Sequence, residues 1–254
     1  MYRAEISFDV DNMMKNITEL QKVQLPFAAS LALNTMSKDI REDLRDRMKS
    51  TFENPVPFTL NSLFVKMSTK DDLTSIIGLK EFATKGNPAS KYLLPHIQGG
   101  PAYYHRFQKS LRTAGLLGPN EYAIPTQSDN LQLNRYGNVR PSMYTEILYS
   151  LKAYRDTSSH AYMKRSGIKR PQRSYTARTT GAHYANERRN FYPGIYLNDW
   201  KAREDKESAL FWFQRKAPTH QAKYPLSHIA EDFANNNFNT YFGRAFAKAL
   251  ATAR

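Results

Sequence analysis

The sequence contains no cysteine. That excludes disulfide bonds and thiolate metal centres, and it suits a reducing cytosol as well as any chain that merely avoids thiols. No run of about 18 apolar residues occurs, so no segment is expected to span a membrane. The opening residues "MYRAEISFDVDNMM" lack a basic region followed by an apolar one, so a secretory signal is not expected there. The histidines are His96, His105, His160, His183, His220 and His228. No two of them stand at metal-ligand spacing with acids on one helix face. "HYANE" sets His183 four residues before Glu187, which reads as a solvated pair. G-x-S-x-G, Walker and G-x-G-x-x-G motifs are missing, and "QGGPAYY" reads as a turn because no phosphate-binding loop with a lysine follows. The acids are scattered, whereas a metal-dependent nuclease would cluster them, and "EDKE" at 204–207 is a charged turn. The expectation is a protein with no catalytic residues, no metal site and no cofactor.

Aromatic side chains are plentiful, with 16 Tyr and 14 Phe among 254 residues. That argues for a folded chain with a real core, in one domain with insertions or in two small domains. Positive charge is in excess. The net charge is +14 and the pI about 9.8, which points to a polyanion: nucleic acid first, then an anionic membrane surface or an acidic protein. Half of the excess lies in "HAYMKRSGIKRPQRSYTARTTGAHYANERRN" at 160–190. Lys164, Arg165, Lys169, Arg170, Arg173, Arg178, Arg188 and Arg189 stand there against the one acid Glu187. These eight cations are the candidate DNA- or partner-facing residues. Tyr162, Tyr175 and Tyr184 lie among them, so base stacking is open to the segment. Its composition suits phosphate neutralisation better than the reading of base edges. It contains nothing that looks able to build a core, and the readings of a solvated loop and of a surface for an acidic neighbouring subunit stay open.

Hydrophobic periodicity orders the rest of the chain. "YRAEISFDV" reads as a strand with Ile6, Phe8 and Val10 on one side. Asp11 or Asn12 can cap a helix over 12–23, and Pro26 can start a second. In that second helix Ala28, Ala32, Met36, Ile40, Leu44 and Met48 recur every four residues. "SLFVKMSTKDDLTSIIGLKEF" reads as a hairpin. "KYLLPHIQGG" is a short apolar run, "AYYHRFQKSLRTAGLL" has helical spacing, "EYAIPTQ" suits a strand, and "RPSMYTEILYSLKAYRD" is a helix opened by Pro141. "FYPGIYLNDW" and "SALFWFQRK" are strand-like. The chain ends on a long helix after Pro225, with Ile229, Phe233, Phe238, Tyr241, Phe242, Ala245, Phe246, Ala249 and Leu250 on its apolar stripe. The expected class is α+β: a small antiparallel sheet packed by two long helices, N-terminal and C-terminal, with a large helical and loop insertion. Residues 1–84 would form the N-terminal half of the core, 85–190 the insertion, and 191–254 the C-terminal half with its strands and long helix.

The two ends of the chain resemble a family. "PFAASLALNTMSKDIREDLRDRMKSTF" is similar to the alanine-rich helix of minor tail protein Z and related tail-completion proteins of tailed phages. "ALFWFQRKAPTHQAKYPLSHIAEDFANNNFNTYFGRAFAKALATAR" resembles that family's ending, in which a strand leads through "YPL" into a final amphipathic helix. "FTLNSLFVK" is similar to prophage-encoded relatives. The resemblance covers about 1–80 and 190–254. It implies a virion structural protein, not an enzyme, assembled in the host cytoplasm. Such a protein forms a homo-oligomeric ring, hexamer or dodecamer, at the head–tail neck or the tail end. Its implied partners are further copies of itself, portal, adaptor or tail-tube proteins, and packaged DNA met without base recognition, with no membrane. The alternatives are a basic nucleic-acid-binding protein using 160–190 as its arm, and an enzyme acting on nucleic acid.

Overall fold

The computed structural model describes residues 3–7, 19–84, 87–153, 173–179, 192–198 and 208–252. The chain is α+β and forms two compact units, one of Met1–Gly100 with His220–Arg254, the other of Pro101–Thr219.

Unit 1 is built on a three-stranded antiparallel sheet and two long helices. The strands are β1 (Arg3–Ser7), β2 (Leu63–Lys66) and β3 (Thr74–Leu79), in the order β1-β3-β2. Ile77 pairs with Ala4 on one side and Val65 on the other. The central strand "TSIIGL" is buried from Ser75 onward, as a strand flanked on both edges should be. Helix α1 runs Glu19–Thr51. Its every-fourth-residue stripe closes on the sheet, with Leu33, Met36, Ile40, Leu44 and Met48 sharing one cluster with Ala4, Leu63, Ile77 and Leu79. Short helices α2 (Pro57–Leu60) and α3 (Ala89–Gln98) follow α1 and β3 respectively. The apolar run at 91–100 is thus helical, and ends at Gly99 with φ 77°, a left-handed conformation that costs glycine little.

The last helix, here α6, spans Leu226–Ala251. Helices α1 and α6 pack along each other, α1 also meets β2 and β3, and α6 meets β1. Both long helices therefore cover the same small sheet, since neither can bury its apolar stripe alone. Tyr224, fully buried before α6, donates its hydroxyl to the Leu44 carbonyl at 3.0 Å, and Tyr241 donates to Asp39 at 2.6 Å. These bonds fix the register of the two helices. A polar seam does the same between α1 and the segment after β2. Asn34 donates to the Ser68 carbonyl at 3.1 Å and accepts from the Ser68 amide at 2.7 Å.

Unit 2 has its own four-stranded antiparallel sheet, ordered β5-β8-β7-β6, from β5 (Tyr122–Pro125), β6 (Ser174–Arg178), β7 (Gly194–Asn198) and β8 (Ser208–Gln214). Helices α4 (Arg106–Thr113) and α5 (Pro141–Ser150) supply Phe107, Leu111, Met143 and Ile147 to a core with Ile195, Leu197, Phe211 and Phe213. Ile195 faces Phe211 while Tyr196 faces Ala209. This bulge lets the consecutive residues Leu210 and Phe211 enter one core. Gly194 is required there, because a Cβ would stand 2.3 Å from the Phe211 carbonyl oxygen. A two-stranded ladder of β4 (Gly100–Pro101) and β9 (Thr219–His220) completes the sheets.

The structure corrects four expectations. The strands at 191–214 belong to the sheet of unit 2 and do not extend the terminal core, so the boundaries fall at 100/101 and 219/220 instead of 84/85 and 190/191. Both arrangements bury the same aromatic strands, and only the pairing partner differs. The helices expected to meet at Pro26 are one helix from Glu19. Proline there removes one backbone hydrogen bond, and burial of Leu25, Ala28 and Ala29 beside it offsets the loss. Of the expected α6 stripe Ala245 and Ala249 are buried, and Ile229, Phe233, Phe238 and Tyr241 pack partly buried against the core, but the other fully buried positions are Leu226, Ala230 and Ala234, because two long helices in close contact leave room for small side chains. Phe242 and Phe246 of the expected stripe are half-buried and stack in series at 5.8 Å. Finally, the basic segment does contribute to a core: β6 lies within it, and Tyr175 is buried. Phe8, Val10 and the first part, 12–18, of the helix expected over 12–23 lie outside the described residues.

Candidate nucleic-acid interface

Charge is unequally divided between the units. Unit 1 holds seventeen Lys and Arg against fourteen Asp and Glu, a net +3, and unit 2 holds twenty against nine, a net +11. Of the eight cations singled out in the sequence, Lys164, Arg165, Lys169, Arg170, Arg188 and Arg189 lie outside the described residues. Arg173 is exposed just before β6. Arg178 departs from its expected role. It is the last residue of β6, buried, with its guanidinium 5.3 Å from the centre of the Tyr196 ring. Strand alternation explains this. Tyr175 points into the core, so Thr176 and Arg178 share the other face with Tyr196, the cross-strand partner of Thr176. The buried guanidinium against the Tyr196 ring takes part in the packing of the sheet.

Sequence reading missed a second group of cations around α4. His105 caps this helix, its Nδ1 accepting from the Phe107 amide at 3.3 Å. The Tyr144 ring lies 5.2 Å away. Although the residue keeps solvent contact, the packing around its ring desolvates the imidazole and pushes its pKa down. The neutral ring is the form that can accept at Nδ1. Phe107, Gln108, Ser110 and Leu111 face inward, which leaves Arg106, Lys109 and Arg112 on the other side of the helix. Lys109 Nζ sits 5.3 Å from the Tyr103 ring centre and 3.3 Å from its hydroxyl. The Arg112 guanidinium lies 3.7 Å above Tyr104, which stacks on Tyr122 at 4.6 Å. The same guanidinium donates to the carbonyls of Gly118 and Glu121, tying down the loop between α4 and β5. The pattern was visible as "RFQKSLR", three cations at every third position, yet only the buried side of that helix drew notice.

A cavity beside this group has a volume of about 530 Å³ and is lined by Gly115, Leu116, Gly118, Pro119, Asn120, Glu121, Thr179 and Arg215. One Glu121 oxygen accepts from the Gly118 amide at 2.9 Å, and the other is 3.9 Å from Arg215 Nε. The carboxylate thus holds its own loop. Among the described residues no group of three His, Asp or Glu could hold a metal ion, and no described helix is long and apolar enough to cross a membrane. The rings of His96 and His220 of unit 1 lie 4.3 Å apart, tilted at 45°. Burial pushes the His96 pKa down, and His220 and Lys223 add like charge to the same effect.

No family model, curated protein or solved structure matches the chain.

Proposed function

We propose that the protein is a structural component of a tailed-phage particle. It assembles as a homo-oligomeric ring at the head–tail neck or the tail end, and unit 2 supplies the surface that meets the DNA passing through. The observation that carries this reading is the segregation of charge, with +11 of the +14 in unit 2. Repeated around a symmetry axis, such a unit lines a channel with positive potential and needs no base recognition. The resemblance of α1, the segment 58–66 and the final helix to tail-completion proteins supports the same reading. In it the protein has no catalytic residues, no metal and no cofactor, and its partners are its own copies with the portal, adaptor or tail-tube proteins above and below.

Native mass measurement of the purified chain across a concentration series, together with its position in a particle reconstruction, tests the proposal. A closed ring of six or twelve copies and salt-sensitive binding to duplex DNA are expected. A monomer at every concentration that also ignores DNA sinks it. The second reading, a basic nucleic-acid-binding protein working as monomer or dimer, draws on the cations that lie over tyrosine rings in unit 2. It predicts DNA binding with no ring.

A further inference from the structure

We infer that helix α4 is a preformed docking site for the phosphate backbone of duplex DNA, with Arg106 and Lys109 as the contacting side chains and Arg112 as a fixed neighbouring charge. The inference rests on the reading of unit 2 as the DNA-meeting part and adds a rigid contact surface outside the 160–190 segment. Three features carry it. First, "RFQKSLRT" has three cations and no acid. Their spacing of three residues aligns them on one side over about 9 Å of helix rise. Arg106 and Lys109 are exposed. Among the described residues none of the three pairs with a carboxylate, whereas Arg41, Arg45, Arg47 and Lys49 of α1 do.

Second, Arg106 does not serve the helix, whereas Arg112 in its last turn does. Arg106 stands in the first turn, where no acid is present. There the exposed N–H groups already make the end positive, so a further cation is unfavourable. An external polyanion would relieve both charges at once. Third, Lys109 and Arg112 are held in place. Lys109 is held by the Tyr103 hydroxyl and ring face, and Arg112 by Tyr104 and two loop carbonyls. Neither arrangement cancels the charge. Side chains ordered beforehand lose less entropy on binding than free lysines and arginines do. Charge complementarity with a repeating anion therefore selects the phosphate backbone, and the lack of groups set to read base edges makes the binding independent of sequence.

The test uses the full chain and random-sequence duplexes, with affinity measured against salt concentration. The double variant Arg106→Gln, Lys109→Gln should lower the slope of log K against log salt by roughly 1.8, about 0.9 for each phosphate that is no longer neutralised. The weakening should be the same on unrelated duplexes, and the melting temperature should stay put, because both side chains are exposed. Arg112 is left intact, since its removal would free the loop it holds. If the parent binds DNA and the double variant keeps the parent's slope, the inference is overturned while the DNA-meeting role of unit 2 survives through other residues. An unchanged slope with failed ring assembly would assign α4 to a protein partner and overturn it equally. If the parent does not bind duplex even at low salt, the wider reading of unit 2 falls and takes this one with it.

Discussion

In unit 1 the cations of α1 stand beside carboxylates: Arg47 with Asp43 at 2.8 Å, Lys49 with Asp46 at 2.7 Å, and Arg41 with Glu42 at 2.7 Å. In unit 2 Lys109, Arg112 and Arg135 lie over tyrosine rings instead. An ion pair neutralises; a cation on an aromatic face keeps its full charge while gaining a fixed position. The first arrangement makes an exposed helix face soluble and electrostatically quiet. The second displays charge to whatever anion approaches. Two units of one chain thus use the same residue types for opposite ends, and the difference lies in what each cation is placed against.

The sharpest way to break the comparison is to destroy one core and watch the other. Leu44 is fully buried in unit 1, so Leu44→Asp should cost at least about 3–5 kcal/mol, as for a large cavity with an unpaired charge added. Hydrogen exchange should show protection lost in β1, β2, β3 and the long helices and retained in β5–β8. Equal loss in both would show one cooperative core. Phe242→Asp is the counterpart in α6. Because Phe242 is half-buried and outside the main cluster, its effect should be plainly smaller in the same denaturation series.

The corresponding lesion in unit 2 is Gly194→Ala. The added methyl meets the Phe211 carbonyl, so β7 or β8 must shift, at about 1–3 kcal/mol. Exchange at β7 and β8 amides reports it, and an unchanged pattern would mean that the bulge absorbs the methyl. Next in size is the contrast between the two described cations of the basic segment. Arg178→Ser should cost about 0.5–2 kcal/mol by losing the Tyr196 face, whereas Arg173→Ser should stay within about 0.5 kcal/mol. Arg173, not Arg178, should then change the salt dependence of DNA binding. The reverse order would show that β6 presents Arg178 to a ligand.

Acid pH should weaken both units through one histidine each. The folded states hold His96 and His105 below their ordinary value of 6.5. The unfolded chain therefore takes up protons first as pH falls. Their contribution is complete above about pH 6.5 and is lost as pH drops toward the depressed folded values. His105→Asn keeps a capping side chain and removes the titration, and His96→Gln does the same for the imidazole of unit 1. Each should flatten part of the melting-temperature decline below pH 6.5, and no flattening in either would show that carboxylates alone produce it. The smallest effect belongs to the surface pairs of α1. Arg47→Ala should change stability by no more than about 0.5 kcal/mol and by less in high salt, as followed by urea denaturation.

How much could be read beforehand depends on the range of the interaction involved. The stripe from Ala28 to Met48, the hairpin at 63–79, the Pro141 helix start and the aromatic strands all follow from periodicity and local backbone preference, which adjacent residues carry by themselves. The α+β class and the net charge of +14 follow in the same way. Two assignments needed the tertiary structure, because they depend on residues far apart in the chain. Whether "GIYLN" and "SALFWFQ" extend the terminal sheet or pair with β5 and β6 is invisible in strands whose apolar content suits either partner. Whether a cation is displayed or buried is equally invisible in a composition count. Arg178 is buried because strand alternation turns it toward Tyr196, one strand away, and Lys109 is displayed because α4 buries Phe107 and Leu111 on its other side. Charge is a property of the residue, and exposure is a property of what the fold sets beside it.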